Sequence, residues 1–213
     1  SRLYVVGIRQ RPNIMAGGNL KISTGHNGSK FGIPLEQLEE ILSIKNQHQL
    51  RINCLHVHTG SEIKDVDVFI QVADIFFDLV PHFQDLQVLD MGGGFKVPYH
   101  ANEKGTDIQL LAKKVGEVLN KFEITYGKKF QVWFEPGKYL VSQCGYLITS
   151  VNVIKETPTV LFAGINSGFN HLIRPMFYEA YHPIRNISNP NGPIKNYAVT
   201  GNICETDNFA WDR

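Results

Sequence analysis

Residues 89–95 read Leu89-Asp90-Met91-Gly92-Gly93-Gly94-Phe95 and follow an apolar stretch that begins at Leu86. The apolar residues predict a strand, and the three glycines stand where that strand ends. Glycine loses much conformational entropy on folding, so three in succession indicate a backbone that another group approaches closely. Backbone N–H groups without side chains around them suit a phosphate. The stretch therefore predicts a ligand-binding site at the end of the strand, with a plain tight turn as the alternative.

Two further predicted strands end in polar segments that contain glycine. His58-Thr59-Gly60-Ser61 follows an apolar strand at 50–56, and Glu135-Pro136-Gly137-Lys138 follows another at 130–134. Parallel strands present their carboxyl ends at one edge of a sheet, and ligands of α/β proteins bind at that edge. We therefore expect the three segments to form one site.

Strands and helices are predicted to alternate through the first part of the chain. Strands are predicted at 3–8, 50–56, 86–91 and 130–134, and helices at 34–42, 65–80 and 107–126. This order is typical of an α/β fold, either an open doubly wound sheet or part of a (β/α)₈ barrel. Later segments at 140–154, 160–163, 184–187 and 196–200 read as strands without comparable helices. We therefore predict an α/β domain at 1–139 and a mainly antiparallel β domain at 140–213.

Composition describes an ordinary globular chain. Of the 213 residues, 43% are hydrophobic and 19% are charged, which argues against a disordered polypeptide. A net charge of +1 argues against a general nucleic-acid partner or an anionic membrane surface. No apolar run reaches the roughly 18 residues that span a bilayer, so we expect no membrane segment.

The three cysteines lack the spacing of metal ligands and are odd in number, which favours a reducing, cytoplasmic setting over a disulfide framework. Cys54 and Cys144 lie in predicted strands, so both are expected to be small buried side chains. Cys204 stands among polar residues, which is unusual for a core cysteine.

Several side chains at these strand ends allow two interpretations. His58 is either a satisfied core histidine or a ring that stacks on a flat ligand. His56 shares its face of the strand, but a zinc site would need a third ligand, so we predict no metal. Glu135 would be costly in a barrel mouth unless paired, and a protonated ring nitrogen is a suitable partner. Lys138 is either a phosphate-binding cation or a solvated surface lysine.

Motifs along the whole chain resemble the diaminopimelate decarboxylases, which belong to the alanine-racemase-like, fold type III pyridoxal-phosphate decarboxylases. The motifs are Ser29-Lys30-Phe31-Gly32, His58-Thr59-Gly60-Ser61, Leu89 to Phe95, Glu135-Pro136-Gly137-Lys138, Ile173-Arg174-Pro175-Met176-Phe177-Tyr178 and Cys204-Glu205-Thr206. The resemblance implies the later part of a (β/α)₈ barrel followed by the start of a β domain. It also implies pyridoxal 5'-phosphate as cofactor, meso-diaminopimelate as substrate, and a cytoplasmic homodimer.

The resemblance also implies roles for individual residues. His58 would stack on the pyridoxal ring, Glu135 would pair with the pyridine nitrogen, and Cys204 would enter the neighbouring subunit's active site as proton donor. The implied cofactor-binding residues are His58, Ser61, Gly92, Gly93, Gly94, Glu135, Pro136, Gly137 and Lys138. The implied substrate-binding residues are Lys138, Arg174, Tyr178 and Glu205.

Two departures from the family matter. The family usually has Arg where this chain has Lys138, which replaces a bidentate contact by a point charge. The Schiff-base lysine of the family lies upstream of Ser1, so the chain is expected to be an interior part of a longer enzyme and inactive by itself. The alternatives are a carboxynorspermidine, arginine or ornithine decarboxylase of the same fold type, or a non-catalytic fragment that binds the cofactor or a phosphate.

Overall fold

The computed structural model describes residues 4–16, 24–26, 28–206 and 208–210. The chain divides into two compact units, one of residues 1–97 and 104–144 and the other of residues 98–103 and 145–213. Part of the loop predicted between Arg11 and Lys30 lies outside the described residues. Each unit is built around its own sheet.

The first unit alternates strands with helices. Its elements are β1 (Val5–Arg11), β2 (Ile33–Pro34), α1 (Leu38–Gln47), β3 (Arg51–Val57), α2 (Asp67–Leu79), β4 (Val88–Asp90), α3 (Ile108–Tyr126), β5 (Gln131–Trp133) and α4 (Gly137–Val141). All described strand pairs of this unit are parallel, in the order β2-β1-β3-β4-β5. This order occurs in open doubly wound sheets as well as in an arc of a barrel. The α/β fold with parallel strands and crossover helices is therefore confirmed.

Alternate strand residues pack against the crossover helices. Leu55, Val57 and Leu89 are buried in a core to which α2 contributes Phe69 and Phe76. This periodicity leaves the intervening residues of each strand on the opposite face of the sheet. One face thus provides packing, and the other is available for chemistry.

The longest helix, α3, has 19 residues and well-formed ends. The Asp107 carboxylate accepts a hydrogen bond from the Leu110 amide, and Gly127 ends the helix with a φ of 76°. The ring of Phe122 stacks on that of Phe77 in α2, with 4.1 Å between the centroids. None of the helices in the described part of the chain combines the length and apolar character needed to cross a bilayer.

The second unit contains a four-stranded mixed sheet. Its elements are β6 (Val151–Glu156), β7 (Leu161–Ile165), α5 (Arg174–Tyr178), β8 (Ala198–Thr200) and β9 (Asn208–Ala210). Within the described chain, β6–β7 and β8–β9 are antiparallel and β7–β8 is parallel. The mainly antiparallel character predicted for this region is confirmed.

Three local predictions are wrong. The strand expected at 140–154 begins only at Val151, because α4 and a following turn occupy the residues up to Cys144 and residues 145–150 adopt no regular structure. Cys144 lies in that turn and is exposed rather than buried, while Cys54 is only half-buried. The strand expected at 184–187 does not form, since the Asn186 side chain accepts hydrogen bonds from the amides of Ser188 and Asn189 and stabilises a turn.

Candidate functional site

The parallel register aligns polar residues in a row across the first sheet. Arg9 of β1 is opposite His56 of β3, His56 is opposite Asp90 of β4, and Asp90 is opposite Trp133 of β5. These residues alternate with the buried Leu55, Val57 and Leu89, so they lie on the face away from the helices. The sheet therefore gathers charged and aromatic side chains near the carboxyl ends of its strands.

The glycine triplet lies where three strand ends come into contact. A Cβ at Gly92 would meet the Val57 carbonyl oxygen, one at Gly93 would overlap the Glu135 carbonyl oxygen, and one at Gly94 would overlap the Gly60 carbonyl oxygen. Gly92 and Gly94 also have φ values of 67° and 86°, which side-chain-bearing residues rarely adopt. The close approach inferred from the sequence is therefore an approach of the protein's own backbone.

Three of the amides proposed for a phosphate cradle already have partners within the protein. The Gly92 amide donates to Asp90 Oδ1 at 3.0 Å, and the Gly93 amide donates to His58 Nδ1 at 3.2 Å. The Gly137 amide donates to the Glu135 carbonyl oxygen at 2.9 Å, although the position of a Gly137 Cβ faces open space. Any of these amides must share or exchange its partner to bind a phosphate.

The hydrogen bond from the Gly93 amide fixes the orientation of the His58 ring and determines which ring nitrogen carries the proton. Because Nδ1 accepts a hydrogen bond, the neutral ring carries its proton on Nε2. Burial lowers the pKa of His58, and the positive charge of Arg9 adds to this effect, while Glu135 and Asp90 oppose it. His58 is therefore held as a neutral, flat ring at the end of β3.

Glu135 lies just beyond β5 and beside His56 and Asp90. Its amide donates to the Gly92 carbonyl oxygen at 2.8 Å, which fixes its backbone next to the glycine triplet. Glu135 Oε2 is 3.2 Å from His56 Nε2. A ring nitrogen of His56 and one carboxylate oxygen each of Asp90 and Glu135 all lie within 4.8 Å of one another. We call this group the carboxylate–imidazole cluster. His58 is not part of it, and the neighbours of His56 in this cluster are two carboxylates.

The carboxylates of the cluster contribute to the pKa shifts of neighbouring residues. Burial, with the carboxylates of Asp90 and Glu135, raises the pKa of Cys54 to about 11, so this thiol stays protonated. Burial lowers the pKa of Arg9, and Glu135 partly restores it. The Arg9 guanidinium lies 5.0 Å from the centroid of Phe31, in the Ser-Lys-Phe-Gly motif.

Lys138, at the start of α4, forms an ion pair with Glu62. The Glu62 side chain is only 13% exposed and also lies 3.6 Å from the Lys96 ammonium. Glu62 adopts a φ of 61°, a strained conformation that the surrounding contacts must maintain. Lys138 is therefore an exposed cation that is already paired with a carboxylate. Ser61, which precedes Glu62, is half-buried, and Pro136 immediately precedes α4.

The other predicted site residues belong to the second unit. Arg174 begins α5, donates to the Tyr99 hydroxyl at 3.0 Å and lies over the Tyr99 ring at 5.4 Å from its centroid. Tyr178 ends the same helix and is half-buried, whereas Cys204 and Glu205 are exposed in a bend before β9. The roles assigned to these residues stay predictions.

The comparisons with known proteins agree with this geometry. Residues 4–142 match the family model of the pyridoxal-dependent decarboxylase, pyridoxal binding domain. The chain belongs to the pyridoxal-dependent decarboxylase family. This confirms the resemblance drawn from the motifs, together with the pyridoxal cofactor that it implied.

Named members of this family match nearly the whole chain. A diaminopimelate decarboxylase of Methanothermobacter thermautotrophicus is 32% identical over 98% of the chain and 50% of that protein. One of Campylobacter jejuni is 34% identical over 96% of the chain and 50% of that protein. A crystal structure of the Helicobacter pylori diaminopimelate decarboxylase complexed with L-lysine has a TM-score of 0.85 and 30% identity, covering 99% of this chain and 52% of that one. The chain spans about half the length of the curated relatives it matches.

The residues of the first unit fit the family's cofactor. His58 offers a flat ring in a fixed orientation, and the half-exposed Glu135 carboxylate at the same edge can reach a ring nitrogen. The open space at Gly137, which directly precedes Lys138 in the chain, suits a phosphate. This donor set is what a planar, cationic ring with a phosphate tail requires.

Sequence reasoning assigned no role to several residues of this site. Asp90 and Arg9 could have been assigned from strand periodicity, since each directly follows an apolar residue of the core, Leu89 and Ile8. His56 was considered only as a zinc ligand. Glu62 gave no usable signal, because its partners Lys96 and Lys138 are distant in sequence.

Proposed function

We propose that the complete gene product containing this chain decarboxylates meso-2,6-diaminopimelate to L-lysine and CO₂ with pyridoxal 5'-phosphate. The observation that carries the proposal is that a neutral, fixed His58 ring and the Glu135 carboxylate lie at the same edge of the sheet. The diaminopimelate decarboxylases that match nearly the whole chain, one of them bound to L-lysine, support the substrate.

His58 would stack on the ring of the cofactor, and Glu135 would pair with the ring nitrogen. When bound, pyridoxal phosphate supplies an electron-accepting ring that stabilises the negative charge left as a carboxylate departs as CO₂. Glu135 would keep a proton at the ring nitrogen and so preserve the electron-accepting character of the ring. His58, which cannot readily become cationic, would cover the ring face without adding a competing positive charge.

The remaining cofactor contacts concern the phosphate. Ser61, Gly92–Gly94, Pro136 and Gly137 border the carboxyl ends of the strands, and Lys138 supplies a cation there. Since Glu62 already neutralises part of that charge, the phosphate would compete with or share the Lys138 ammonium. A lysine rather than an arginine suits this arrangement, because its ammonium has no fixed bidentate geometry.

We assign the substrate to three residues of the second unit and to Lys138 of the first. Arg174, held by Tyr99, would bind a substrate carboxylate, with Tyr178, Glu205 and Lys138 as further contacts. Cys204 of one subunit would donate a proton in the active site of its partner in a homodimer. We further propose a cytoplasmic enzyme in which residues 1–139 belong to the barrel domain and residues 140–213 to the β domain.

Turnover by the complete gene product tests the proposal directly. The purified protein, supplied with pyridoxal phosphate, is assayed for CO₂ release from meso-diaminopimelate, ornithine, arginine and carboxynorspermidine. We expect CO₂ and an equal amount of lysine from meso-diaminopimelate, and little from the others. A preference for another substrate would replace the proposed activity by that of a related decarboxylase. Cofactor binding without turnover of any of them would support a binding protein instead.

A further inference from the structure

His56 occupies a partly buried position near His58, the residue proposed to contact the cofactor. It precedes His58 by two residues on β3 and so shares the interior face of the sheet. Its side chain is 21% exposed, but the Nε2 atom is shielded from solvent. Arg9 is opposite it on β1 and Asp90 on β4, so it lies inside the charged row rather than in the apolar core.

The Nε2 atom lacks a completed hydrogen bond, and Glu135 is within reach. Among the described residues, Nε2 makes no hydrogen bond, although Glu135 Oε2 lies 3.2 Å away at ion-pair distance. A buried imidazole N–H without an acceptor is unfavourable. A small rotation of the Glu135 carboxylate would align the two groups and satisfy the donor.

Glu135 needs such support, because its side chain is not held by packing. The backbone of Glu135 is fixed through its bond to Gly92, but the side chain is 55% exposed. Asp90 carries a second carboxylate within 4.8 Å, which would repel the Glu135 carboxylate. A donor at His56 Nε2 would counter that repulsion and leave the second oxygen of Glu135 for another partner.

We propose that His56 is a positioning residue that donates from Nε2 to Glu135 and aims this carboxylate at the ring nitrogen of the bound cofactor. The inference rests on the proposed function only in requiring pyridoxal phosphate, not in requiring diaminopimelate. His56 contacts neither ring nor substrate in this assignment. It acts through Glu135. Residues that hydrogen-bond to a functional side chain from outside the site commonly fix its orientation in this way.

The test compares two substitutions in the complete gene product. His56→Phe keeps a ring of similar size without a donor, and His56→Gln keeps an N–H donor. Both are titrated with pyridoxal phosphate after removal of the cofactor, and the absorption spectrum of the bound form is recorded. We expect His56→Phe to weaken cofactor affinity about ten- to a hundredfold and to alter the spectrum. His56→Gln should have a cofactor affinity and an absorption spectrum much closer to those of the wild type. His48→Phe, at an exposed position after α1, is the control and should bind as the wild type does.

A double substitution separates positioning from a general structural role. If His56 acts through Glu135, His56→Phe should cause no further loss of affinity in a Glu135→Gln protein. Independent losses that multiply in the double variant would overturn the inference, as would equal affinities of wild type and His56→Phe. Cofactor binding without diaminopimelate turnover would overturn only the proposed substrate. A wild-type protein that does not bind pyridoxal phosphate would overturn both proposals.

Discussion

The carbonyl oxygen of Glu135 occupies the place where a side chain on Gly93 would begin. The amide of the same glycine donates to His58 Nδ1. Gly93 thus couples the end of β5 to the end of β3, so its lack of a side chain determines the spacing between His58 and Glu135.

Gly93→Ala should therefore disturb stability and cofactor binding together. The added methyl group must displace the backbone at Glu135, and such overpacking typically costs about 1–3 kcal/mol. We expect a lower free energy of unfolding and a weaker absorption by bound pyridoxal phosphate. Gly116→Ala in α3 is the matched control, because a Cβ there meets nothing within 4 Å. This control should stabilise the protein by about 0.5–1 kcal/mol. Normal cofactor absorption by Gly93→Ala would contradict the proposed coupling.

Glu123 should make a measurable contribution to stability. It is buried in α3 and accepts hydrogen bonds from Lys129 Nζ and the Phe130 amide, each at 2.7 Å. Removing a hydrogen bond to a buried charge costs about 1.5–3 kcal/mol, so Glu123→Ala should lower the free energy of unfolding by that amount. Glu117→Ala, exposed on the same helix, should change it by no more than about 0.5 kcal/mol.

The Glu123 contribution should also depend on pH. Burial alone would raise the pKa of this carboxyl, but the bonds from Lys129 and Phe130 outweigh burial and lower it. The stabilisation is therefore present above the ordinary carboxyl pKa and is lost as pH falls through the lower value of the folded protein. In acid unfolding, the difference in stability between wild type and Glu123→Ala should narrow. A difference that stays constant to the lowest pH would refute the assignment.

His58 should produce a pH dependence in a different window. In the unfolded chain it takes up a proton near its ordinary pKa of about 6.5. In the folded protein, burial lowers its pKa, so the unfolded state binds more protons between the two values. The free energy of unfolding should then decrease as pH falls through that window. His58→Phe should show a smaller decrease in cofactor-free protein from about pH 7.5 to pH 5. Equal decreases in the two proteins would argue against a neutral, buried His58.

Arg174 tests the assignment of the substrate. Losing a charge-assisted contact typically costs about 1.5–3 kcal/mol, so Arg174→Ala should raise KM for diaminopimelate about ten- to a hundredfold. Cofactor affinity should be unchanged. Arg185→Ala, an exposed arginine outside α5, is the control and should leave KM as in the wild type. An unchanged KM in Arg174→Ala would exclude Arg174 from carboxylate binding.

Sequence patterns predicted the strand edge that carries the chemistry but not the contacts within it. The motifs after each strand placed His58, Gly92 and Glu135 at one edge, since parallel strands end on the same side. The distance from Glu135 to His56 was not predictable, because it depends on the lateral register of β3, β4 and β5. That register is set by hydrogen bonds between segments far apart in sequence.

The wrong predictions have a common physical origin. Apolar residues at 140–150 suggested a strand, yet Leu140, Tyr146 and Ile148 are 70%, 91% and 77% exposed. Hydrophobicity alone does not specify a strand where no neighbouring segment pairs with it. At 184–187, a single Asn186 side chain was enough to favour a turn.

The row formed by Arg9, His56, Asp90 and Trp133 also has a consequence for how this sequence can change. Because strand side chains alternate, deleting one residue within β3 would turn His56 and His58 toward the helices and bring leucine and valine to the ligand face. Point substitutions can change one position of this row at a time, whereas an insertion or deletion inside a strand would exchange its core-facing and ligand-facing residues together. Length variation among descendants of this protein should therefore accumulate in the connecting loops, and the strands should vary by substitution alone.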